Sequence, residues 1–421
     1  MYREATHVRT FKGLVFVTSI LVTSLFWRIL PDTFRINENS DYIGFYEPVG
    51  RNILEGRGFT CVDGTPAIAY PPGYPLLLAG IFGFSHLVNV SEETILSIFI
   101  LLSVGLTSVF VFMLARSLWG SLPGLISSAV WITYPFALWL TKQPNSEIPF
   151  MVIFYGTFCL LWYVLLRKSY AWPIYFLVGL LTGVAMLIRP IAIGIGFVMG
   201  AILWLAGHGM TMRFRLLLIM MILLGNLVAI FPWEAWVYSK TGRVVLLSTI
   251  GASGMYDGLT FALNLEGYRQ GVAFPQDVQA LMQNIHVRVG EMQSFGGVLS
   301  AMIEELQMRP LAVVKLLAIK TVRSWYATDS QRFETPIMLI QMAYLVVMIW
   351  SSKVAWKRGG IAKQLAISVW LMTLYFWGMT ILGSSLFRYM VPAMGLLFLL
   401  LPALFQSGER ESRVIEEPNN I

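Results

Sequence analysis

The residues with chemistry to offer gather between the first two apolar runs, from about Pro31 to Glu93. Asp41 and Tyr42 come first, then Tyr46, Arg51, Asn52, Gly56 and Gly58, and the stretch closes on Pro71, Pro72, Gly73, Tyr74 and Pro75. Carboxylate, phenol and guanidinium groups in one loop of an otherwise apolar chain describe a reaction centre held at a membrane surface. Ser40 is placed to cap a helix opening at Asp41, with Tyr42, Phe45, Tyr46, Val49 and Ile53 on one face and a bend at Pro48. A carboxylate in a first helical turn is favoured by the helix dipole. Ionised there, Asp41 suits a general base for an acceptor hydroxyl or amine. The spacing alone also fits a helix-start residue with no chemical duty.

Further charged groups lie at the ends of later apolar runs. Glu147 follows Pro144, Asn145 and Ser146 at the mouth of a helix. It is placed to orient an acceptor or support a divalent metal, or simply to favour the helix start. Arg189 sits between two apolar runs, where a lone guanidinium is costly and needs an anion. A phosphate would suit its fork; so would an acidic side chain or the headgroup layer. Arg388 carries the same readings. Lys315, Lys320 and Arg323 are placed either to meet a departing lipid phosphate or to form a basic face toward headgroups. The histidines at 7, 86, 208 and 286 have no metal-ligand spacing. Cys61 falls in the loop and Cys159 in an apolar run, so no disulfide between them is expected.

The elements that position these groups follow from composition. The chain is 57% hydrophobic and 13% charged, with a mean hydropathy of +0.68. Soluble domains carry about 25% charged residues, so this is an integral membrane protein. No basic tract with interleaved aromatics suggests nucleic acid. Spans of about 20 apolar residues are expected near 12–30, 94–115, 121–140, 148–166, 172–188, 190–206, 214–233, 335–351, 365–383 and 390–406. The first follows Arg3, Arg9 and Lys12, is longer than a signal-peptide core and has no small-residue cleavage site, so it reads as retained.

Residues 75–88 are short for a crossing. Residues 311–326 carry three cations, each costing about 2.5–3.5 kcal/mol at mid-bilayer, so an amphipathic helix on the membrane fits better. The fold class is therefore all-α and polytopic, about ten spans with juxtamembrane helices, in one domain over 1–406. Residues 31–93 form the first outer loop and 234–333 a second outer segment, with a short strand at Val244–Ser248 and polar helices over 275–308. Residues 407–421 read as a disordered tail. Arg116, Arg167, Lys168, Arg213, Arg215, Lys353, Lys357, Arg358, Lys363, Arg410 and Arg413 fall on one side. By the positive-inside rule that side is cytoplasmic, with both termini. Trp131, Trp139, Trp162, Trp172, Trp233 and Trp236 read as an interfacial belt.

In this order and spacing the motifs resemble the GT-C glycosyltransferase superfamily, in the branch of protein O-mannosyltransferases and lipid A aminoarabinose transferases. The resemblance rests on Asp41, Tyr46, Arg51-Asn52, Gly56/Gly58 and the Pro71–Pro75 run. It continues with Gly179, Gly183 and Arg189-Pro190, Phe231-Pro232-Trp233 and Gly242, and Arg388-Tyr389 with Pro392. It covers roughly Leu14 to Ala403. It implies a polyprenyl-phosphate sugar donor and inverting transfer to an extracytoplasmic acceptor, with Asp41 as base, Arg189 and Arg388 on the phosphate, and Tyr42, Tyr46 and Tyr74 in the substrate loop. Two departures stand out. Tyr42 replaces the second acid of the family's Asp-Glu pair, and Glu234, Ala235 and Trp236 replace its Arg-Asn. No cofactor is required by these residues, a divalent metal is allowed, and membrane lipids are partners. The rival readings are a transporter of a lipid-linked or anionic substrate, which would want ionisable groups at mid-membrane and repeated halves, and an envelope scaffold with a decayed site. No Trp-Trp-Asp motif supports an oligosaccharyltransferase.

Overall fold

The computed structural model describes residues 2–405 apart from 35, 208, 262, 264–273 and 291–293. The expected tail at 407–421 lies outside the described residues. Among the described residues the secondary structure is helical, with a single isolated bridge between Thr60 and Pro66. In hydrocarbon every backbone group must be satisfied within its own segment, which selects helices. Seven helices among the described residues are long and apolar enough to cross a membrane: Val8–Ile29, Glu92–Trp119, Glu147–Leu166, Met212–Thr241, Glu334–Arg358, Gly360–Leu382 and Phe387–Leu404. The protein is a multi-pass membrane protein.

The other three expected spans come out shorter, and prolines account for two of them. Residues 121–140 split into Ser121–Ile132 and Pro135–Leu140. Pro135 disfavours a helical residue before it, so Tyr134 is extended at φ −66° and ψ 112°. Residues 190–206 divide into a 3₁₀ turn, Pro190–Ala192, and a helix, Ile195–Ala206. The run at 172–188 forms the helix Trp172–Ile188, 17 residues long.

The chain divides into two compact units. The first holds residues 1–247, 348–372 and 394 onward. Its tightest helix pair joins Trp172–Ile188 to Met212–Thr241. Gly179 lies against the Ile222 carbonyl and Gly225 against the Phe176 carbonyl, so close that a Cβ at either would overlap the opposing backbone. The amide of Asn226 bonds across this seam to Thr182 Oγ1 at 3.0 Å.

The expected strand at Val244–Ser248 does not form. The polar groups of Leu247 go to side chains of the preceding helix instead. Its N–H donates to Glu234 Oε1 at 2.7 Å, and its carbonyl accepts from Trp233 Nε1 at 2.8 Å. Trp233 is buried and stacks on Trp236 at 5.0 Å, with Phe59 edge-on to both rings, so this pair belongs to a packed cluster rather than to a simple interfacial belt.

The second unit comprises residues 248–347 and 373–393. The expected helical stretch is present as Gln276–Val289 and Phe295–Met308, which close with Pro310–Arg323 over Val278, Leu281, Met282, Ile285, Val298 and Leu316. The helix Pro310–Arg323 inverts the expected arrangement. Lys320 and Arg323 are buried, while Leu311, Val314 and Val322 are exposed. A face of basic side chains turned to headgroups is not what forms here, because the cations find their partners inside the unit.

Candidate active site

The helix carrying Asp41 begins one residue earlier than expected, and its cap is Asn39 rather than Ser40. The Asn39 side-chain oxygen accepts the Tyr42 N–H at 3.3 Å, three residues on, as an N-cap does. Its amide nitrogen donates to the Pro144 carbonyl at 2.9 Å. One buried asparagine thus starts the Asp41 helix and fastens it to the loop before Glu147. Residues Tyr42–Tyr46 then form a π turn, in which the Glu47 N–H bonds to the Tyr42 carbonyl. The helix resumes as Glu47–Leu54. Pro48, two residues into that helix, has no N–H to give the Gly44 carbonyl, which explains why regular α-bonding fails just before it.

Asp41 is half-exposed, and its Oδ1 accepts a hydrogen bond from the Tyr70 hydroxyl at 2.7 Å. The Tyr70 ring packs on Phe45 at 5.0 Å and on Tyr46 at 4.8 Å, and Tyr46 meets Tyr74 edge-on at 4.9 Å. Tyr42, Tyr46 and Tyr74 are all buried. The three loop tyrosines are packed inside and present no face to solvent; Tyr46 lies near Asp41, whereas Tyr42 lies near Glu47, Arg51 and Glu92.

Tyr46 is the hub. Its hydroxyl is hydrogen-bonded to Ser146 and lies in the field of Arg189, Asp41 and Glu147. Burial pushes this phenol well above its usual range, with Arg189 and Ser146 offsetting part of the shift. Arg189 Nη1 stands 2.5 Å from Glu147 Oε2 and 3.2 Å from Ser146 Oγ. Both partners of the ion pair are buried.

Two sequence features aim that arginine. Pro190 holds Arg189 extended, at φ −147° and ψ 116°, so it leaves the axis of the preceding helix. Gly73 lets the Pro71–Pro75 run press on the end of the same helix, since a Cβ there would stand 2.6 Å from the Leu187 carbonyl oxygen. Asn145 completes the frame, its side chain accepting the Ile148 N–H at 3.2 Å and donating to the Gln143 carbonyl at 3.0 Å. Sequence reading named Asp41, Glu147, Arg189 and the tyrosines, and the structure brings them together. It missed Asn39, Tyr70 and Ser146, whose only signal was a polar or phenolic side chain near a turn.

The remaining expected site residues lie in the second unit. Lys320 is fully buried, and its ammonium donates to the Gly383 carbonyl at 2.9 Å. Burial pushes it down to about 7. Arg323 grips both oxygens of Glu334, at 3.0 and 2.9 Å, and lies over the Phe261 ring at 4.8 Å. Lys315 pairs with Asp277 at 2.7 Å. Arg388 stands 3.6 Å from Asp329, and its Nη2 donates to the Tyr389 hydroxyl at 3.2 Å. For a divalent metal, the Glu147 carboxylate is already bonded to Arg189. Among the described residues no three His, Cys, Asp or Glu side chains gather to hold one.

No family model and no curated protein matches the chain. Solved structures do. The archaeal oligosaccharyltransferase AglB from Archaeoglobus fulgidus, in complex with an inhibitory peptide and a dolichol-phosphate, aligns with a TM-score of 0.53 at 12% identity over 93% of this chain and 50% of that one. The Archaeoglobus fulgidus oligosaccharyltransferase tethered with an acceptor peptide containing the NVT sequon gives 0.52 at 13% identity, over 93% and 49%. The fold is of the GT-C type. This chain spans about half the length of those enzymes. Within the GT-C fold, the loop after the first membrane helix carries Asp41, and the Ser146–Glu147 turn and Arg189 close around Tyr46.

Proposed function

We propose that this protein is an inverting glycosyltransferase that moves one sugar from a polyprenyl-phosphate donor to an extracytoplasmic acceptor. The observation that carries the reading is the half-exposed Asp41 carboxylate, fixed by Tyr70 beside the Tyr46–Ser146–Glu147–Arg189 group, on a GT-C fold. Asp41 takes the proton from the acceptor O–H or N–H as that atom bonds to the anomeric carbon. The bond from this carbon to the phosphate oxygen breaks, its electron pair stays on the phosphate, and the configuration inverts.

Arg189 is assigned to the leaving phosphate, because a preset guanidinium beside developing charge favours the transition state. Glu147 holds it in position and is the second acid that Tyr42 does not supply. Arg388, expected on sequence to share the phosphate, is braced by Asp329 and Tyr389 within the second unit. Lys320 and Arg323, expected on sequence to share that duty, serve instead to hold the second unit together. The site faces the extracytoplasmic side of the plasma or inner membrane, with both termini cytoplasmic, in keeping with the distribution of basic residues. That location lets a membrane-borne donor enter sideways without leaving the bilayer.

The test is transfer by the purified protein from radiolabelled polyprenyl-phosphate sugars, with membrane extract as acceptor, wild type beside Asp41→Asn. General-base catalysis contributes about 10²–10⁴-fold. The variant is therefore expected to lose at least two orders of magnitude while still binding donor. Equal rates in both proteins would remove Asp41 from the mechanism.

A further inference from the structure

The second unit contains a helix that is polar inside and apolar outside. Along Pro310–Arg323 the exposed positions after Pro310 are Leu311, Val314, Ala318 and Val322. They recur at three- and four-residue intervals, so they form one stripe, and no polar side chain stands in it. The polar groups of the helix point the other way. Lys320 and Arg323 are buried against the Gly383 carbonyl and Glu334, and Ser324, just past the helix end, bonds back to the Lys320 carbonyl at 2.8 Å. Lys315, partly exposed beside the stripe, reaches across to Asp277. A helix facing water shows the reverse pattern.

The two helices before it show where water does lie. Gln276–Val289 exposes Gln276, Gln279, Gln283 and Arg288, as a solvated helix should. Phe295–Met308 is divided lengthwise. Exposed Phe295, Leu299, Ile303 and Leu306 make one stripe, and exposed Ser300, Glu304 and Gln307 make another. Glu304 pairs with Arg288, so the polar stripe adjoins the solvated helix. This bundle therefore has a wet side and an apolar side, although the sequence reads 275–308 as polar throughout.

A contiguous exposed apolar face marks contact with protein or with lipid. Bonds within the unit favour lipid. The Thr321 carbonyl accepts from Trp377 Nε1 at 2.9 Å, and Trp325 meets Trp377 edge-on at 5.4 Å. Trp377 lies five residues inside the end of the membrane-crossing helix Gly360–Leu382. At 1.5 Å per residue that is about 7 Å along its axis. Arg323 holds Glu334, the first residue of the membrane-crossing helix Glu334–Arg358. The end of the stripe is thus fastened beside two spans, at a level where one of them has already entered the bilayer. The apolar stripe continues a surface that lipid already covers.

We propose that the second unit is seated in the membrane by this face, with the apolar stripes of Phe295–Met308 and Pro310–Arg323 sunk into the adjacent leaflet and Gln276–Val289 turned to water. This goes beyond the transferase reading and does not depend on it. The experiment is site-directed spin labelling of the full-length chain in phospholipid nanodiscs. Single cysteines replace Leu299, Ile303, Val314 and Ala318, with Gln279→Cys and Gln283→Cys as the wet references, in a Cys61→Ser/Cys159→Ala background whose unfolding midpoint is checked first. Collisions of each label with oxygen, which concentrates in lipid, are compared with those of a water-soluble nickel chelate. The four apolar positions are expected to favour oxygen and to report a depth of about 5–10 Å below the phosphates. The two glutamine positions are expected to favour the chelate.

A preference for the chelate on either apolar stripe overturns the proposal, since that stripe would then face water. Exclusion of both reagents overturns it as well, and assigns the face to a second copy of the chain or another protein. If the background does not fold, wild-type protein in nanodiscs is photolabelled from phospholipids that carry a diazirine in the acyl chain. Adducts on both stripes and none on Gln276–Val289 are then expected. A stripe left unlabelled while Glu334–Arg358 and Gly360–Leu382 are labelled overturns the proposal.

Discussion

At the scale of single residues, the site depends on groups that hold other groups. Tyr70 is the plainest case, since its hydroxyl is the bond that fixes one oxygen of Asp41. Tyr70→Phe keeps the ring that packs on Phe45 and Tyr46 and removes only this donor. A three- to thirtyfold fall in kcat is expected, with the unfolding midpoint little changed. An unaltered kcat would show that Asp41 needs no such brace. Lys320 supports a prediction of a different kind. Its ammonium is pushed down from 10.5 to about 7 by burial, so between those values the unfolded chain binds more protons than the folded one. Stability should therefore rise with pH from about 7 to about 10, by up to about 1.4 kcal/mol per pH unit from this group. Midpoints measured across that range should flatten in Lys320→Met. Asp41, Glu147 and Arg189 were legible in the sequence because charge among apolar residues is conspicuous. Tyr70 and Asn39 were not, because a phenol and an amide near turns are ordinary. Lys320 and Arg323 misled because hydropathy reports that a helix has two faces but not which face is inside.

At the scale of elements, local backbone rules carried much of the architecture. The long runs became long helices, and Pro135 and Pro190 broke the others where a proline must. The Gly179 and Gly183 spacing, noticed first as a family pattern, turns out to be the seam along which Trp172–Ile188 and Met212–Thr241 approach almost backbone to backbone. Gly179→Ala would force the Ile222 carbonyl away and strain the Asn226–Thr182 bond on the same seam. Overpacking of this kind costs about 1–3 kcal/mol, expected as a lowered unfolding midpoint together with reduced transfer, since Arg189 ends one of the two helices. An unshifted midpoint would mean that the seam opens freely. The strand expected at Val244–Ser248 failed because its apolar pattern had no neighbouring strand to pair with. Helix-borne Glu234 and Trp233 took its polar groups instead, a long-range fact that no local window contains.

At the scale of the whole molecule, the chain is a multi-pass membrane protein with a GT-C fold, about half the length of the oligosaccharyltransferases it resembles in structure. Its sidedness can be read with its own thiols. Cys61 lies in the first loop and Cys159 within the helix Glu147–Leu166, and both are free. In intact cells a membrane-impermeant maleimide is expected to label Cys61, and Cys159 only after unfolding. Protection of Cys61 until the membrane is breached would invert the proposed orientation.

The π turn at Tyr42–Tyr46 bears on how this chain can be compared with any other. A π turn holds one residue more than an α turn, so it acts as a one-residue insertion absorbed inside a helix. Winding the same residues as regular α-helix would rotate everything before it by about 100° relative to Arg51 and Asn52. Asp41 would swing off Tyr70, although every motif remained in the sequence. The azimuth of the carboxylate is therefore written in a count of residues rather than in their identities, and an alignment that closes that gap would match the letters and misplace the base.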